Sequence, residues 1–231
     1  MKILSATIRM LREWVRFAII TLFLFLTIRV FVLEAFSIPT SSMENTLMVG
    51  DFLLVNKALF GAEIPGTRLK FPAIRDPERG DVVVFRPVHD PRRNYVKRVV
   101  GIPGDTLEMR EKVLYLNGRR QEEAFARHID RRGDAIHPGM SWQSDHLVAA
   151  RPGPGYAPSR DTWGPLVVSP GEYFVLGDNR DNSEDSRYWG FVDRDAIIGH
   201  PWVVYVSLKS RESEGGFLGR VRWDRIGHRV R

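Results

Sequence analysis

An almost continuous apolar run over residues 14–33 is the first pattern along the chain, and Arg16 and Arg29 are the charged residues within it. A helix of this length rises about 30 Å, which matches the thickness of a bilayer core. Arg29 would lie near the far end, where a long side chain reaches the headgroups. The pattern predicts a membrane-spanning helix over residues 14–35, after a tail of residues 1–13.

Two alternatives remain for this run. The uninterrupted part, residues 17–28, is short enough for a core helix or for the apolar region of a cleaved signal. Leu33-Glu34-Ala35 is a poor small-x-small cleavage site, which argues against removal. Four basic residues oppose one acid at the start of the chain, so the positive-inside rule predicts a cytoplasmic N-terminus and an extracytoplasmic remainder.

Beyond this run the chain changes to short apolar segments rich in β-branched and aromatic residues, as strands require. The segments are residues 52–55, 82–85, 95–100, 113–116, 173–176 and 202–206. Turn-forming pairs separate them, and Asn117-Gly118 is a strong hairpin signal. The pattern predicts a mostly β domain over residues 36–231. Residues 119–165 are more polar and are predicted to form an inserted, loop-rich lobe.

Composition removes several classes of function. The 231 residues include no cysteine, which excludes a thiol nucleophile, a disulfide framework and cysteine-ligated metals. The six histidines show no metal-binding spacing, so no metal site is predicted. The formal charge of +6 would suit nucleic acid, but the basic excess lies at the two ends, where it fits anionic lipid at least as well. A nucleic-acid binder is the weakest alternative, because the aromatic residues do not interleave with these charges.

Three adjacent hydroxyl residues, Thr40, Ser41 and Ser42, follow the apolar run and could present a nucleophile at a membrane surface. The Gly-x-Ser-x-Gly elbow is absent, and a serine that attacks without histidine needs another base. A lysine can be that base when burial lowers its pKa to about 7–8. Strand alternation does not decide whether Lys97 or Arg98 points inward, but arginine stays charged, so Lys97 is the candidate. Two solvated charges on an edge strand are the plainer alternative.

Five segments resemble, in order, the sequence boxes of bacterial type I signal peptidases, the Ser-Lys peptidase family S26. They are residues 37–43 (SIPTSSM), Thr46-Leu47 with Gly50-Asp51, residues 80–85 (GDVVVF), residues 95–105 (YVKRVVGIPGD) and residues 177–187 (GDNRDNSEDSR). The last box is highly specific, with Glu184 as its one free position. The resemblance runs nearly the length of the chain.

The resemblance implies a membrane-bound serine endopeptidase that removes signal peptides from secreted and membrane preproteins, after a small-x-small motif and near the secretion translocon. No cofactor is implied. Ser42 would be the nucleophile and Lys97 the general base. The Ser42 N–H and the Thr40 hydroxyl would form the oxyanion hole. Ser183 would hold Lys97 in line through a hydrogen bond to its amine.

Other residues of the boxes have supporting or binding roles by the same resemblance. Asp185 and Arg187 would form an ion pair that fixes the Ser183 loop, whereas Asp181 and Glu184 fit a solvated turn. An extended substrate would add as a strand to an open sheet edge beside the nucleophile. The side chains expected to line the shallow substrate pockets are Phe36, Ile38, Met43, Leu47 and Tyr95.

Two positions depart from the family pattern: Ser41 stands where many relatives have glycine, and Asn45 where many have proline. The choice of Ser42 over Ser41 therefore rests on the resemblance. The expected location is the inner or plasma membrane, with a single pass and a periplasmic catalytic domain. Leu59 and Phe60, in the early loop, either dip into the lipid or pack in the core.

Two further alternatives differ in function. A relative specialised for one or a few substrates, such as a pilin or conjugation-system peptidase, would share the boxes but cut fewer precursors. A membrane-anchored, β-rich binding protein with an inert serine loop would process no precursor, so replacing Ser42 would change nothing.

Overall fold

The computed structural model describes residues 2–64, 67, 69–130, 136–148, 155–210 and 216–231. Within them, helix α1 (Lys2–Phe31) leads into eleven strands and two short helices, α2 (Ser186–Trp189) and α3 (Gly216–Arg220). The strands are β1 (Leu33–Ser37), β2 (Asp51–Asn56), β3 (Val82–Phe85), β4 (Tyr95–Gly101), β5 (Thr106–Arg110), β6 (Val113–Leu116), β7 (Arg119–Arg120), β8 (Trp163–Val167), β9 (Glu172–Leu176), β10 (Val192–Asp193) and β11 (Ile197–Ser207). Short 3-10 helices cover Pro138–His146, Arg180–Asn182, Arg194–Ala196 and Trp223–Arg225.

The strands form two sheets with antiparallel neighbours. The larger sheet has seven strands in the order β1-β2-β11-β3-β4-β9-β10, and the smaller has four in the order β7-β6-β5-β8. Each of the six apolar segments identified in the sequence lies within a strand, namely β2, β3, β4, β6, β9 or β11. The prediction of a mostly β protein is confirmed.

The Asn117-Gly118 turn joins β6 to β7, as the sequence predicts. Its two residues have positive φ angles of 51° and 74°. A two-residue type I′ turn needs this conformation at both positions, and asparagine and glycine adopt it most readily. Across the turn, Leu116 pairs with Arg119.

Helix α1 differs from the predicted segment of residues 14–35. It begins earlier and ends at Phe31, and the following residues form the edge strand β1 instead. Strand β1 pairs with β2 along its whole length, so inter-strand hydrogen bonds replace helical ones there. Because β1 is also largely apolar, the hydropathy pattern does not mark the end of the helix. In the described part of the chain, no helix is long and apolar enough to cross a membrane, and the predicted span is not confirmed.

Buried apolar clusters lie on both faces of the larger sheet. One cluster joins Ile38, Met43 and Leu47 to side chains of β2, β3 and β11. Another contains Phe60, which is completely buried, with Leu59 packed against it. Core packing covers Phe60, so the hypothesis that Phe60 dips into lipid is wrong, whereas Leu59 is only partly buried and its contact with lipid stays a prediction.

The part of residues 119–165 around Met140 packs against the smaller sheet. Met140 lies in one buried cluster with Trp163 of β8 and with side chains of β5 and β6. Strand β8 itself pairs with β5. Residues 131–135 and 149–154 of the predicted lobe lie outside the described residues, and the boundaries of the lobe stay a prediction.

Candidate active site

Ser42 and Lys97 meet in a buried site between the turn after β1 and the middle of β4. The Lys97 Nζ donates a hydrogen bond of 2.6 Å to the Ser42 Oγ. The two residues are only 4% and 9% exposed, with Lys97 the more buried. Burial removes the ammonium from water and lowers the pKa of Lys97 to about 8. The amine is therefore neutral in a large share of molecules near that pH and can accept a proton from a hydroxyl.

Strand β4 buries both of its adjacent cations, whose side chains leave opposite faces of the strand. Lys97 contacts Ser42, whereas Arg98 is 2% exposed and donates hydrogen bonds of 2.8 and 2.7 Å to the two carboxylate oxygens of Asp178. The alternation pattern left open which cation points inward, and in the structure both do. The alternative of two solvated charges is wrong.

Ser41 has a different partner from Ser42. The Ser41 Oγ accepts a hydrogen bond of 2.8 Å from the Asn182 Nδ2. The backbone N–H and the side-chain amide of Asn179 donate to the carbonyls of Ser42 and Ser41, at 3.0 and 3.1 Å. The geometry thus identifies Ser42 as the serine beside the lysine amine, a choice that the sequence pattern alone could not make.

Thr40 lies at the opening of the site. It is exposed, and its Oγ1 is 3.4 Å from the Ser42 Oγ. An oxyanion that forms on a carbonyl attacked by Ser42 would develop close to this hydroxyl and to the Ser42 N–H. The oxyanion-hole role of Thr40 stays a prediction.

Ser183 does not make the predicted hydrogen bond to Lys97. Its Oγ is buried and makes no hydrogen bond of ordinary distance and angle among the described residues, although its hydroxyl contributes weakly to the lowered pKa of the nearby Asp185 carboxyl. The hydroxyl lies instead against Gly177, where an added Cβ would overlap both the Ser183 Oγ and the Ser42 carbonyl oxygen. The Ser183 hydroxyl occupies the space that a Cβ at Gly177 would fill, and the Lys97 amine donates to Ser42 instead. This packing explains why the predicted bond between Ser183 and Lys97 does not form.

Asp185 and Arg187 form the ion pair that the resemblance implies. The Asp185 carboxylate accepts two hydrogen bonds of 2.8 Å from the Arg187 guanidinium, and both side chains are almost fully buried. Burial acts to raise the pKa of Asp185, but Arg187 and the Gly177 N–H more than offset it and keep this pKa below its usual value. Arg187 also donates to the Arg180 carbonyl at 2.6 Å. The buried pair therefore fixes the loop of residues 177–187 through bonds to its backbone.

The residues expected to line substrate pockets fall into two groups. Four of them, Phe36, Ile38, Met43 and Leu47, share one apolar cluster at the Ser42 turn, which comprises residues 40–47. Ile38, Met43 and Leu47 are buried, whereas Phe36 is partly exposed at the edge of the cluster. Tyr95 belongs to a different cluster, and its ring centre is 5.9 Å from the Lys97 Nζ.

Two buried carboxylates, to which the sequence patterns assign no role, bind the same loops. Asp178 accepts hydrogen bonds from Arg98 and from the Thr46 hydroxyl, which lies in the Ser42 turn. The Asp51 carboxylate accepts hydrogen bonds from Arg225, near the C-terminal end of the chain, and from the Ser207 hydroxyl. Burial acts to raise the pKa of Asp51, but these two partners more than offset it, so the pKa is lowered. The one signal for these residues was their position after a glycine in two of the sequence boxes.

Asp181 also differs from its prediction. The sequence favours a solvated turn, but the Asp181 side chain is fully buried. It accepts hydrogen bonds of 2.7 Å from the backbone N–H groups of Ile129 and Asp130, and of 3.1 Å from the Lys112 Nζ. Glu184 is exposed, as expected.

Comparisons with known proteins identify the family of this chain. The sequence model of the family described as signal peptidase, peptidase S26, matches residues 11–206. A signal peptidase I from Pseudomonas aeruginosa is 40% identical over 199 residues, which cover 80% of this chain and 69% of that protein. One from Aquifex aeolicus is 34% identical over 218 residues, which cover 80% of each chain. The crystal structure of a signal peptidase I from Enterococcus faecalis, at 30% identity, covers 55% of this chain and 98% of its own, with a TM-score of 0.38. The chain belongs to the signal peptidase family, peptidase S26.

Proposed function

We propose that this serine peptidase cleaves signal peptides from preproteins with Ser42 as its nucleophile and Lys97 as its general base. Membership of the signal peptidase family supports the activity and the class of substrate. The observation that carries the assignment of residues is the 2.6 Å contact between the Lys97 Nζ and the Ser42 Oγ inside a site that excludes most water.

The buried dyad can perform both halves of the reaction. The neutral Lys97 amine takes the Ser42 proton as the Oγ attacks the scissile carbonyl, and an acyl-enzyme ester forms when the peptide bond breaks. The protonated amine gives this proton to the departing amino group. Lys97, neutral again, then removes a proton from a water that attacks the ester, and it returns this proton to the Ser42 Oγ as the ester bond breaks, which restores both residues.

The oxyanion of each tetrahedral intermediate would accept hydrogen bonds from the Ser42 N–H and the Thr40 Oγ1. Among the described residues, the Ser42 N–H donates to no acceptor, so it is available to a substrate. Two donors held in place before the reaction lower its barrier, because they need no reorganisation as charge develops.

The apolar cluster at the Ser42 turn would supply the specificity for small-x-small sites. Ile38, Met43 and Leu47 are buried in this cluster and Phe36 packs against it, so the cluster is already filled by its own side chains and would offer a substrate only shallow apolar contacts. An extended substrate would pair with the start of β4, since the pairing of β9 with β4 begins only at Arg98.

The catalytic domain would act at the inner or plasma membrane, close to the secretion translocon, where signal peptides emerge. Helix α1 would anchor it, with the N-terminus in the cytoplasm and the domain outside. In support, α1 exposes large apolar side chains, among them Trp14, Phe17 and Phe23, which are 68%, 64% and 71% exposed. Release of the full-length protein from membranes by alkaline carbonate would contradict this anchoring.

The decisive experiment measures cleavage of a purified precursor with an Ala-x-Ala site, in detergent micelles, by the wild type and by Ser42→Ala, Lys97→Ala and Ser41→Ala. We expect cleavage to disappear in the first two variants and to persist in Ser41→Ala, the matched control for a neighbouring hydroxyl. Cleavage that survives Ser42→Ala would refute the assignment. A wild type that cuts no precursor would indicate a binding protein instead.

A further inference from the structure

We propose that residues 121–130, which we call the brace, position Ser42 against Lys97 by binding both loops of the active site. One loop is the Ser42 turn, residues 40–47, and the other is residues 177–183. The inference rests on the proposed function and adds to it a role for the first part of the inserted lobe.

The brace contacts the Ser42 turn at two adjacent residues. The Asn45 side-chain amide donates a hydrogen bond of 3.0 Å to the Phe125 carbonyl. Next to it, Glu44 forms an ion pair of 3.2 Å with Arg127. Asn45 has a φ angle of 106°, far from the value near −65° to which proline is restricted. Position 45 therefore has a backbone conformation that proline cannot adopt, and its asparagine side chain reaches the brace.

The brace contacts the second loop through its backbone. The Arg127 N–H donates to the Asp178 carbonyl at 2.7 Å, and the Arg180 N–H donates to the Arg127 carbonyl at 2.9 Å. These bonds form a short parallel bridge between the two segments. Glu123 adds two hydrogen bonds, of 2.6 and 2.7 Å, from the Arg180 guanidinium, whose side chain is 1% exposed. Backbone pairing and a nearly buried ion pair together fix the distance between the segments.

The two loops meet at the nucleophile. Asn179 lies between the two residues of the second loop that the brace holds, and its N–H donates to the Ser42 carbonyl at 3.0 Å. Phe125 lies over the Arg98 guanidinium, with 4.0 Å between the guanidinium carbon and the ring centre, and so shields the Arg98 pair with Asp178 from water. Movement of the brace would therefore move the Ser42 backbone relative to the neighbouring Lys97.

This placement explains why the brace affects rate more than binding. Among the described residues, no hydrogen bond or ion pair joins the brace to Lys97, and no brace residue belongs to the apolar cluster that would receive the substrate. The residues that the brace holds are those that set the position of the Ser42 Oγ. Displacement of a catalytic atom by about 1 Å can lower a rate by about 100-fold without a change in the chemical groups.

The experiment compares full-length wild type, Asn45→Gly, Phe125→Ala and the control Arg120→Ala in micelles, with the same precursor. Asn45→Gly removes the bond to Phe125 and keeps the positive φ angle that glycine tolerates. Arg120 is an exposed residue of β7 in the same lobe. For each protein we would measure kcat, KM, the pH dependence of kcat and the unfolding temperature. Ser42→Ala serves as the inactive reference.

We expect kcat of both brace variants to fall by roughly 10-fold with KM changed by less than about twofold. The acidic limb of the kcat profile should move to higher pH, because displacement of the Ser42 turn would uncover the Lys97 amine and raise its pKa. Arg120→Ala should match the wild type. If kcat of Asn45→Gly equals that of the wild type, or if only KM rises, the proposed positioning role of the brace is refuted. Loss of activity that merely follows loss of folded protein in both variants would overturn it too. Failure of the wild type to cut, or cutting by Ser42→Ala, would instead refute the proposed function.

Discussion

The Arg98 guanidinium binds both carboxylate oxygens of Asp178, at 2.8 and 2.7 Å, and the two side chains are 2% and 0% exposed. Arg98 follows Lys97 in the chain, and Asp178 precedes Asn179, which binds the Ser42 carbonyl. The pair therefore fixes the strand that carries the base to the loop that holds the nucleophile. Because it is buried, its removal has consequences for stability as well as for geometry.

Replacing Arg98 with methionine should strongly destabilise the protein. The substitution leaves the Asp178 carboxylate buried without its cation, a situation that costs about 3–5 kcal/mol. Urea unfolding of the full chain in micelles, followed by tryptophan fluorescence, measures the change. The matched control is Arg86→Ala, because the ion pair of Arg86 with Glu63, at 2.9 Å, is about half exposed and should contribute only about 0–1 kcal/mol. Equal effects of the two substitutions would contradict the prediction.

The pH dependence of cleavage should follow the Lys97 amine. Below its pKa of about 8 the amine is protonated and cannot act as a base, so kcat/KM should rise with pH through that region and then level off. Lys97→Arg keeps the positive charge at all these pH values, so it cannot act as the base, and its kcat/KM should be lower than that of the wild type by a factor of about 10²–10⁴ or more. An acidic limb that lies near pH 6 to 7, the range of a histidine, would identify a different base.

Which features of the fold and site were predictable depends on the range of the interactions that determine them. The strand at residues 82–85 was predictable because a short run of β-branched and aromatic residues favours a strand, and this signal lies within the segment itself. The end of α1 was not, because β1 continues the apolar pattern. The burial of Asp181 was also missed, since it depends on backbone groups of Ile129 and Asp130 that are distant in sequence. The Ser183 rotamer depends on the absence of a Cβ at Gly177, which no pattern of polarity records.

Replacing Gly177 with alanine should abolish most of the activity. The new Cβ would overlap the Ser42 carbonyl oxygen and the Ser183 Oγ, so the nucleophile loop has to move. A displacement of about 1 Å predicts a loss of about 100-fold in kcat. The double variant with Ser183→Gly removes one of the two overlaps and should recover part of the rate. Wild-type kcat in Gly177→Ala, measured on the same precursor, would show that the two loops are not in this close contact.

Replacing Lys97 with methionine should raise the free energy of unfolding at neutral pH, although it abolishes cleavage. The pKa of Lys97 is lowered from about 10.4 in the unfolded chain to about 8 in the folded one, so the unfolded state binds more protons between these values. Burial of the charged amine therefore lowers the free energy of unfolding of the wild type by about 3 kcal/mol at pH values below 8. This penalty declines as the pH rises from 8 to about 10.4, because the folded protein then holds the neutral amine.

Urea unfolding of wild type and Lys97→Met across this pH range tests the prediction, because methionine fills a similar volume without a charge. The variant should be more stable at pH 7, and the difference should shrink steadily toward pH 10. Lys209→Met, at a lysine exposed to solvent, is the control and should show no such trend. A difference for Lys97 that stays constant with pH would mean that the amine keeps its ordinary pKa in the folded protein, and that Ser42 is then activated by some other group.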